Sequence, residues 1–255
     1  MASLGGAMAL GLTVRGSPDG DTQFRGSMLC AEIQALIAIM RQNSKWALVP
    51  GYGYGEDELP EDQLLEEFKV LRRNVFVWKD WATRDPLTYL GPFLEVIRSV
   101  DTSGPITGMA LSTLHRVLSQ GFFDKNTPGA AAAMPQIADA VAHCRFEETD
   151  HDADEVVLAR ILQALLACLR CPAGELLSDD AVCSIVQACF RIGHHTGKEG
   201  ELLQQMVRQT MHEMVRHLFS RLAGMSPLEP SPLPSPKVAS RISVDAGGPG
   251  GGEAK

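Results

Sequence analysis

Apolar residues recur every three or four positions along most of the chain, which is the spacing that places them on one face of an α-helix. The pattern begins at residues 27–40, where Ser27 is suited to cap a helix and Cys30, Ile33 and Ile37 share a face. No segment shows the sustained alternation of apolar and polar residues that is typical of a half-buried strand. The pattern therefore predicts an all-α fold.

Capping residues and prolines divide the rest of the chain into further helices. Asp85 followed by Pro86 predicts a helix start, and Pro92 is expected to kink or restart the helix that follows. Residues 156–171 are apolar on nearly every side, so we expect this helix to be the innermost. Residues 194–200 are expected to form a loop before the last helix. The predicted helices cover residues 27–40, 60–78, 86–98, 104–121, 128–144, 156–171, 178–192 and 202–222.

The order and length of these segments predict the architecture. A series of about seven to eight helices joined by short loops, without a heptad or a recurring repeat, predicts an irregular armadillo/HEAT-like α-solenoid. Such a stack exposes long grooves and ridges suited to binding other chains. We expect the helical domain to span residues 27–223, between a disordered N-terminus at 1–26 and a disordered Pro/Ser/Gly-rich tail at 224–255.

Charge and composition narrow the class of protein. The 255 residues carry 23 Lys+Arg against 31 Asp+Glu, a formal charge of −8, which argues against nucleic-acid binding because that affinity comes mainly from neutralised phosphates. The six cysteines lack the spacing of a secreted disulfide scaffold. No basic residue precedes the apolar run at 4–14, and residues 156–171 are too short to cross a bilayer. We therefore expect a cytoplasmic protein without a signal peptide or a membrane span.

Several residues could carry chemistry. Cys168 and Cys171 form a C-x-x-C pair, which can serve redox chemistry or half of a zinc site, but without a second pair we interpret them as buried structural thiols. The cluster at 150–152 (Asp-His-Asp) and the pair His194 and His195 could serve a metal enzyme or a hydrolase. Neither histidine group accompanies a nucleophile motif, so we interpret both as parts of solvated loops. We predict no catalytic, cofactor-binding or metal-binding residue.

Glycine and tryptophan residues suggest binding roles instead. The glycines of residues 51–55 could approach a phosphate, but acidic residues follow directly, so we interpret this segment as a loop. Trp46 and Trp81 follow helix ends and are the better candidates for surface anchors of an interface, whereas Trp78 lies on an apolar stripe and is predicted to be core. An alternative function is a soluble armadillo-type peptide-binding adaptor. That alternative predicts a ladder of Asn or aromatic residues, which the sequence lacks.

Nine blocks of the sequence resemble a known family when they are taken together and in order. They are MRQNSKW at 40–46, YLGPFLEVIRS at 89–99, GPIT at 104–107, CRF at 144–146, DEVVL at 154–158, ILQ at 161–163, CFR at 189–191, ELL at 201–203 and TMHEMV at 210–215. Across residues 27–223 the chain resembles the N-terminal dimerisation and cyclophilin-binding domain of the large ARF guanine-nucleotide exchange factors. The type is that of the Golgi brefeldin-resistance and GNOM proteins, and residues 211–216 look plant-like.

The resemblance implies an armadillo-like domain that self-associates, contacts the upstream homology region of the full-length exchange factor and binds a cyclophilin. It implies a role in vesicle-mediated trafficking, in the cytoplasm and peripheral to Golgi or endosomal membranes. In this family nucleotide exchange is catalysed by a separate downstream domain with an invasive glutamate. The sequence lacks a match to that domain, so no residue inherits the catalytic role and we expect a fragment, a truncated gene model or an isolated module.

Two segments are the predicted interaction surface of this module. They are residues 89–98 of the YLGPFLEVIRS block and the final helix at 202–222, whose apolar stripe is the clearest in the chain. The predicted protein-interaction residues are Tyr89, Phe93, Glu95, Arg98, Met206, Met211, Met214 and Leu218.

Overall fold

The computed structural model describes residues 18–42, 63–81, 83–148, 151–195 and 200–223. These residues form eight α-helices and one short 3-10 turn, and they contain no β-strand. The all-α prediction is confirmed. The helices are α1 (Pro18–Gln42), α2 (Gln63–Val77), α3 (Pro86–Arg98), α4 (Gly104–Ser119), α5 (Ala130–Ala142), α6 (His151–Arg170), α7 (Asp179–His195) and α8 (Glu201–Ala223), with the 3-10 turn at Gly174–Leu176.

The helices stack as four pairs in chain order: α1 with α2, α3 with α4, α5 with α6, and α7 with α8. Contacts between successive pairs run through two series. Helices α1, α4, α6 and α8 touch in turn and form layer A, whereas α2, α3, α5 and α7 touch in turn and form layer B. Repeated stacking of helix pairs onto their neighbours is the organisation of an α-solenoid. The predicted fold class is confirmed.

Helix α6 lies at the centre of the stack, as its apolar sequence predicts. It contacts α4, α5, α7 and α8, and its most extensive contact is with α4. The approach to α4 is close because Gly108 has no side chain: a Cβ there would lie 2.6 Å from a guanidinium nitrogen of Arg160. The Arg160 side chain therefore lies against the backbone of α4 at Gly108.

A buried carboxylate connects the first two helices of layer A. Glu32 of α1 is almost fully buried, accepts a hydrogen bond of 3.1 Å from the Thr113 hydroxyl and forms an ion pair with Arg116, both on α4. A carboxylate removed from water needs such partners, because an unpaired buried charge is costly. The interaction therefore favours one register of α1 against α4.

The first helix starts earlier than the sequence pattern indicates. Helix α1 begins at Pro18, so the predicted start at Ser27 is wrong and residues 18–26 are helical. Arg25 holds this extension in place: its guanidinium donates to the carbonyl of Phe122 at 2.6 Å and lies 5.3 Å from the centre of the Phe122 ring. Phe122 is 97 residues away along the chain, so local periodicity carries no sign of this contact.

Internal prolines do not end helices here. Asp85 caps α3 as predicted, because its carboxylate accepts a hydrogen bond of 2.9 Å from the backbone N–H of Leu87. Helix α3 nevertheless continues through Pro92 to Arg98. Likewise, α5 begins at Ala130 and contains Pro135. The predicted restart at Pro92 is wrong because the buried side chains on both sides of it stabilise the helix more than one lost hydrogen bond destabilises it.

The aromatic residues after α2 fold inward. Trp81 is only 3% exposed, and its ring lies 5.4 Å from that of Tyr89 and 5.6 Å from that of Phe122, so the prediction of a surface anchor is wrong. The sequence places Trp81 after a helix end, but the chain turns back there and α3 covers it. Trp78 is half-buried against the core and carries Arg84 over its ring at 5.1 Å. Trp46 and the glycine segment 51–55 lie outside the described residues.

Candidate interaction surfaces

Helix α3 divides the predicted interaction residues into a buried and an exposed group. Tyr89 and Phe93 are fully buried, and Phe93 packs edge-to-face on Phe68 with ring centres 5.0 Å apart. Glu95 and Arg98 face outward and form an ion pair at 3.1 Å. Buried side chains cannot contact a partner while the domain is folded. Tyr89 and Phe93 are therefore core residues, which corrects their predicted place on a surface.

Helix α8 divides in the same way. Met214 is fully buried and belongs to the core, whereas Met206, Met211 and Leu218 are half-buried. The most exposed apolar residues are ones that the prediction did not select. Leu202, Val215 and Phe219 lie on the apolar stripe of the sequence, but the structure exposes them.

One flank of α8 presents a short apolar row to solvent. Met211, Val215 and Phe219 follow at intervals of four residues and so lie one turn apart; we call them the α8 ridge. Val215 is 43% and Phe219 66% exposed. The opposite flank is held by an ion pair between Glu213 and Arg170 of α6. The ridge is therefore exposed on a helix that the rest of the domain keeps in place.

A groove of about 710 Å³ opens between the end of α5 and helices α6, α7 and α8. Its apolar lining includes Phe146 and Leu158, and Arg191 crosses it to donate to the carbonyl of Ala142 at 2.7 Å. Carboxylates and guanidinium groups both line the groove. Because both signs are present, the charges do not favour a partner of one sign.

The candidate chemical residues do not assemble into a reactive site. Burial raises the pKa of the Cys168 thiol, and it raises the pKa of Cys171 to about 11, so both thiols are protonated at neutral pH. This agrees with the interpretation as structural thiols. His194 lies on α7 rather than in the predicted loop, with its ring 4.6 Å from that of Phe190. Within the described ranges no three His, Cys, Asp or Glu residues are placed to hold a metal ion.

A helix that crosses a bilayer needs about 20 consecutive, predominantly apolar residues. Among the described helices, none combines the length and the apolar composition needed to do so.

The burial of Tyr89 gives a first testable prediction. Its hydroxyl has no hydrogen-bond partner among the described residues, and burial raises its pKa. Because Tyr89→Phe removes an unpaired buried polar atom and keeps the ring, we expect the free energy of unfolding to be unchanged or to rise by about 1 kcal/mol. Thermal unfolding followed by circular dichroism measures this. A loss of more than about 1 kcal/mol would show that the hydroxyl has a stabilising partner.

The fold is a helical solenoid with an exposed apolar ridge, and comparison with known proteins shows what the chain is similar to. No family model matches the chain. It is 45% identical over 203 residues to the ARF guanine-nucleotide exchange factor GNOM of Arabidopsis thaliana, covering 79% of this chain and 14% of GNOM. It is 40% identical over 162 residues to a Golgi-specific brefeldin A-resistance guanine nucleotide exchange factor 1 homolog of Caenorhabditis elegans, covering 63% of this chain and 8% of that protein. ARF guanine-nucleotide exchange factor 2 of Saccharomyces cerevisiae is 27% identical over 167 residues, covering 66% of this chain and 11% of the yeast protein.

The chain is therefore homologous to ARF guanine-nucleotide exchange factors, and the resemblance to the GNOM type is confirmed. The chain spans about one seventh of the length of GNOM, so it corresponds to one region of such a protein.

Proposed function

We propose that this chain is a non-catalytic interaction domain through which an ARF exchange factor self-associates and is regulated in vesicle-mediated trafficking. The proposed partners are a second copy of the chain, the upstream homology region of the full-length exchange factor and a cyclophilin. The proposed place of action is the cytoplasmic face of Golgi or endosomal membranes. Homology to GNOM supports the trafficking role, and the α8 ridge supports the interaction role.

The α8 ridge is the observation that carries this proposal. Exposed apolar surface is unfavourable in water, and each Å² that a partner covers contributes roughly 25 cal/mol. A phenylalanine that is two-thirds exposed on a well-ordered helix offers this gain with little loss of conformational freedom on binding. Clustered exposed apolar residues of this kind mark sites of protein contact.

Self-association gives the second prediction. We expect the 255-residue chain to form dimers or larger assemblies at high micromolar concentration, measured by sedimentation equilibrium. Phe219→Asp places a charge at the most exposed residue of the proposed contact, so it should raise the dissociation constant at least about tenfold. The matched control is Phe76→Asp on α2, where the side chain is 86% exposed at the other end of the stack.

Three results would count against this assignment. They are a chain that stays monomeric at high micromolar concentration, an equal loss in the Phe76→Asp control, and failure to bind the purified upstream homology region of GNOM by titration calorimetry. Circular dichroism melts of both variants test whether the fold is intact. Titration with a purified cyclophilin tests the third proposed partner separately.

A further inference from the structure

A second surface lies at the opposite end of the stack from α8. A groove of about 570 Å³ runs between α2 and α3, and we call it the α2/α3 groove. Its apolar lining is formed by Val70, Leu71 and Pro92. On α2, Val77 is 70% exposed on the same helix face as Val70, so the apolar surface continues past the groove. The groove therefore offers apolar contact that no described part of the chain covers.

Helix α3 presents bare backbone beside this groove. Gly91 and Pro92 are the two poorest helix-forming residue types, and they stand side by side in the middle of α3. Packing within the domain does not require a glycine there, because a Cβ at Gly91 would meet nothing within 4 Å. A residue choice that weakens a helix without an internal packing reason points to a function at that place. The open backbone at Gly91 lets a partner approach α3 closely.

Pro92 also leaves a hydrogen-bond acceptor. Because proline has no N–H, it cannot donate the helical hydrogen bond that the carbonyl of Thr88 would receive from residue 92. Thr88 is exposed and lines the groove. A carbonyl at this position suits the N–H donors of lysine or arginine.

The charges of the groove have one sign. Glu66 and Glu67 line it, and no basic residue does among those the structure describes. Glu67 accepts a hydrogen bond of 3.2 Å from the side-chain amide of Gln63. Because this amide is neutral, the contact does not compensate the charge of Glu67. Glu66 forms ion pairs with both Lys69 and Arg73. The side chains of these two bases line a separate cavity beside α1. Glu66 lines that cavity as well, so Glu67 is the acid of the α2/α3 groove whose charge no basic side chain among the described residues compensates.

We propose that the α2/α3 groove binds an amphipathic helix of another protein, which presents apolar side chains to the groove and lysine or arginine along its edge. The apolar lining, the Glu67 carboxylate, the Thr88 carbonyl that Pro92 cannot serve and the open backbone at Gly91 each match one feature of such a helix. Helix α2 has 15 residues and a length of about 22 Å, which fits a partner helix of about four turns. This surface is separate from the α8 ridge and does not depend on the proposed self-association.

A random peptide library tests the proposal because it requires no choice of a particular partner protein. Peptides of about 15 residues, matched to the length of α2, are displayed on phage and selected on the immobilised chain. The enriched peptides are then synthesised with a fluorescent label and titrated by anisotropy. We expect them to carry apolar residues at helical spacing and more lysine and arginine than aspartate and glutamate.

Gly91→Arg is the decisive variant. Arginine favours the helix, enters open space, fills the approach to the groove and adds a repelling charge, so the fold should be kept while peptide affinity falls at least about tenfold. The matched control is Gly20→Arg on α1, where a Cβ likewise meets nothing within 4 Å and affinity should not change. Circular dichroism of both variants reports whether they fold.

Charge reversal gives an independent readout. Glu67→Lys in the groove should weaken binding of the basic peptides, and peptides remade with glutamate for lysine should regain affinity for this variant. The proposal is overturned by a selection that enriches nothing or enriches acidic peptides. It is equally overturned if the peptides bind the Gly91→Arg variant with the same affinity as the unaltered chain. The same holds if Phe219→Asp, and not Gly91→Arg, abolishes their binding.

Discussion

Replacing Phe93 by alanine is expected to lower the free energy of unfolding by about 3–5 kcal/mol. The Phe93 ring is fully buried and meets the edge of Phe68, so it joins α3 to α2 in layer B. The substitution removes a large apolar side chain from water-free surroundings and leaves a cavity that the two helices cannot close without moving. Urea denaturation followed by the helical circular dichroism signal measures the loss.

Phe76→Ala is the matched control because the same atoms are removed from a residue that is 86% exposed. Its effect should lie within about 0.5 kcal/mol, the range usual for surface substitutions. Similar losses in both variants would contradict the burial of Phe93. A loss below about 1 kcal/mol for Phe93→Ala would return Phe93 to the candidate interaction surface, where the sequence pattern alone had placed it.

Gly174→Ala is expected to lower the free energy of unfolding by about 1–3 kcal/mol. A Cβ at this position, in the turn after α6, would lie 2.6 Å from the carbonyl oxygen of Leu169 and 2.8 Å from that of Cys168. Both oxygens belong to the last turn of α6, and backbone of the central helix cannot move aside as a flexible side chain can. The added methyl group must therefore displace the 3-10 turn or strain α6, which thermal unfolding would detect as a lower midpoint.

The control for this effect is the same substitution in open space. Gly91→Ala adds a methyl group that meets nothing within 4 Å and improves helix propensity, so it should raise stability by up to about 1 kcal/mol. Opposite signs for the two variants are the expected result. Destabilisation by both would mean that α3 does not tolerate a side chain at Gly91, and the open approach to the α2/α3 groove would then be wrong.

The candidate surfaces were harder to predict from sequence than the helices. Tyr89 and Phe93 stand in a block that resembles the family, and Met214 stands in a clear stripe, but all three are buried within the domain. The α8 ridge follows from the same stripe once its exposed flank is known. Neither the family-like block nor the apolar stripe indicates which flank of α8 is covered by another helix.

Trp81 and Arg25 show the same limit for the fold. Trp81 follows a helix end, a position typical of the surface, yet it packs against Tyr89 and Phe122. Arg25 extends α1 through a bond to a carbonyl that is distant in sequence. Such contacts depend on how segments far apart in the chain meet, which helical periodicity does not encode.

Periodicity, capping signals and the absence of alternating segments were sufficient to establish an all-α solenoid with α6 at its centre. These signals are local in sequence, because the rotation of about 100° between consecutive residues determines which side chains share one face of a helix. Only the tertiary structure decided that Pro92 stays within a helix, that Trp81 is buried and that Phe219 is exposed. Burial requires a second helix to cover a given face, and the stacking of the four helix pairs determines which faces are covered.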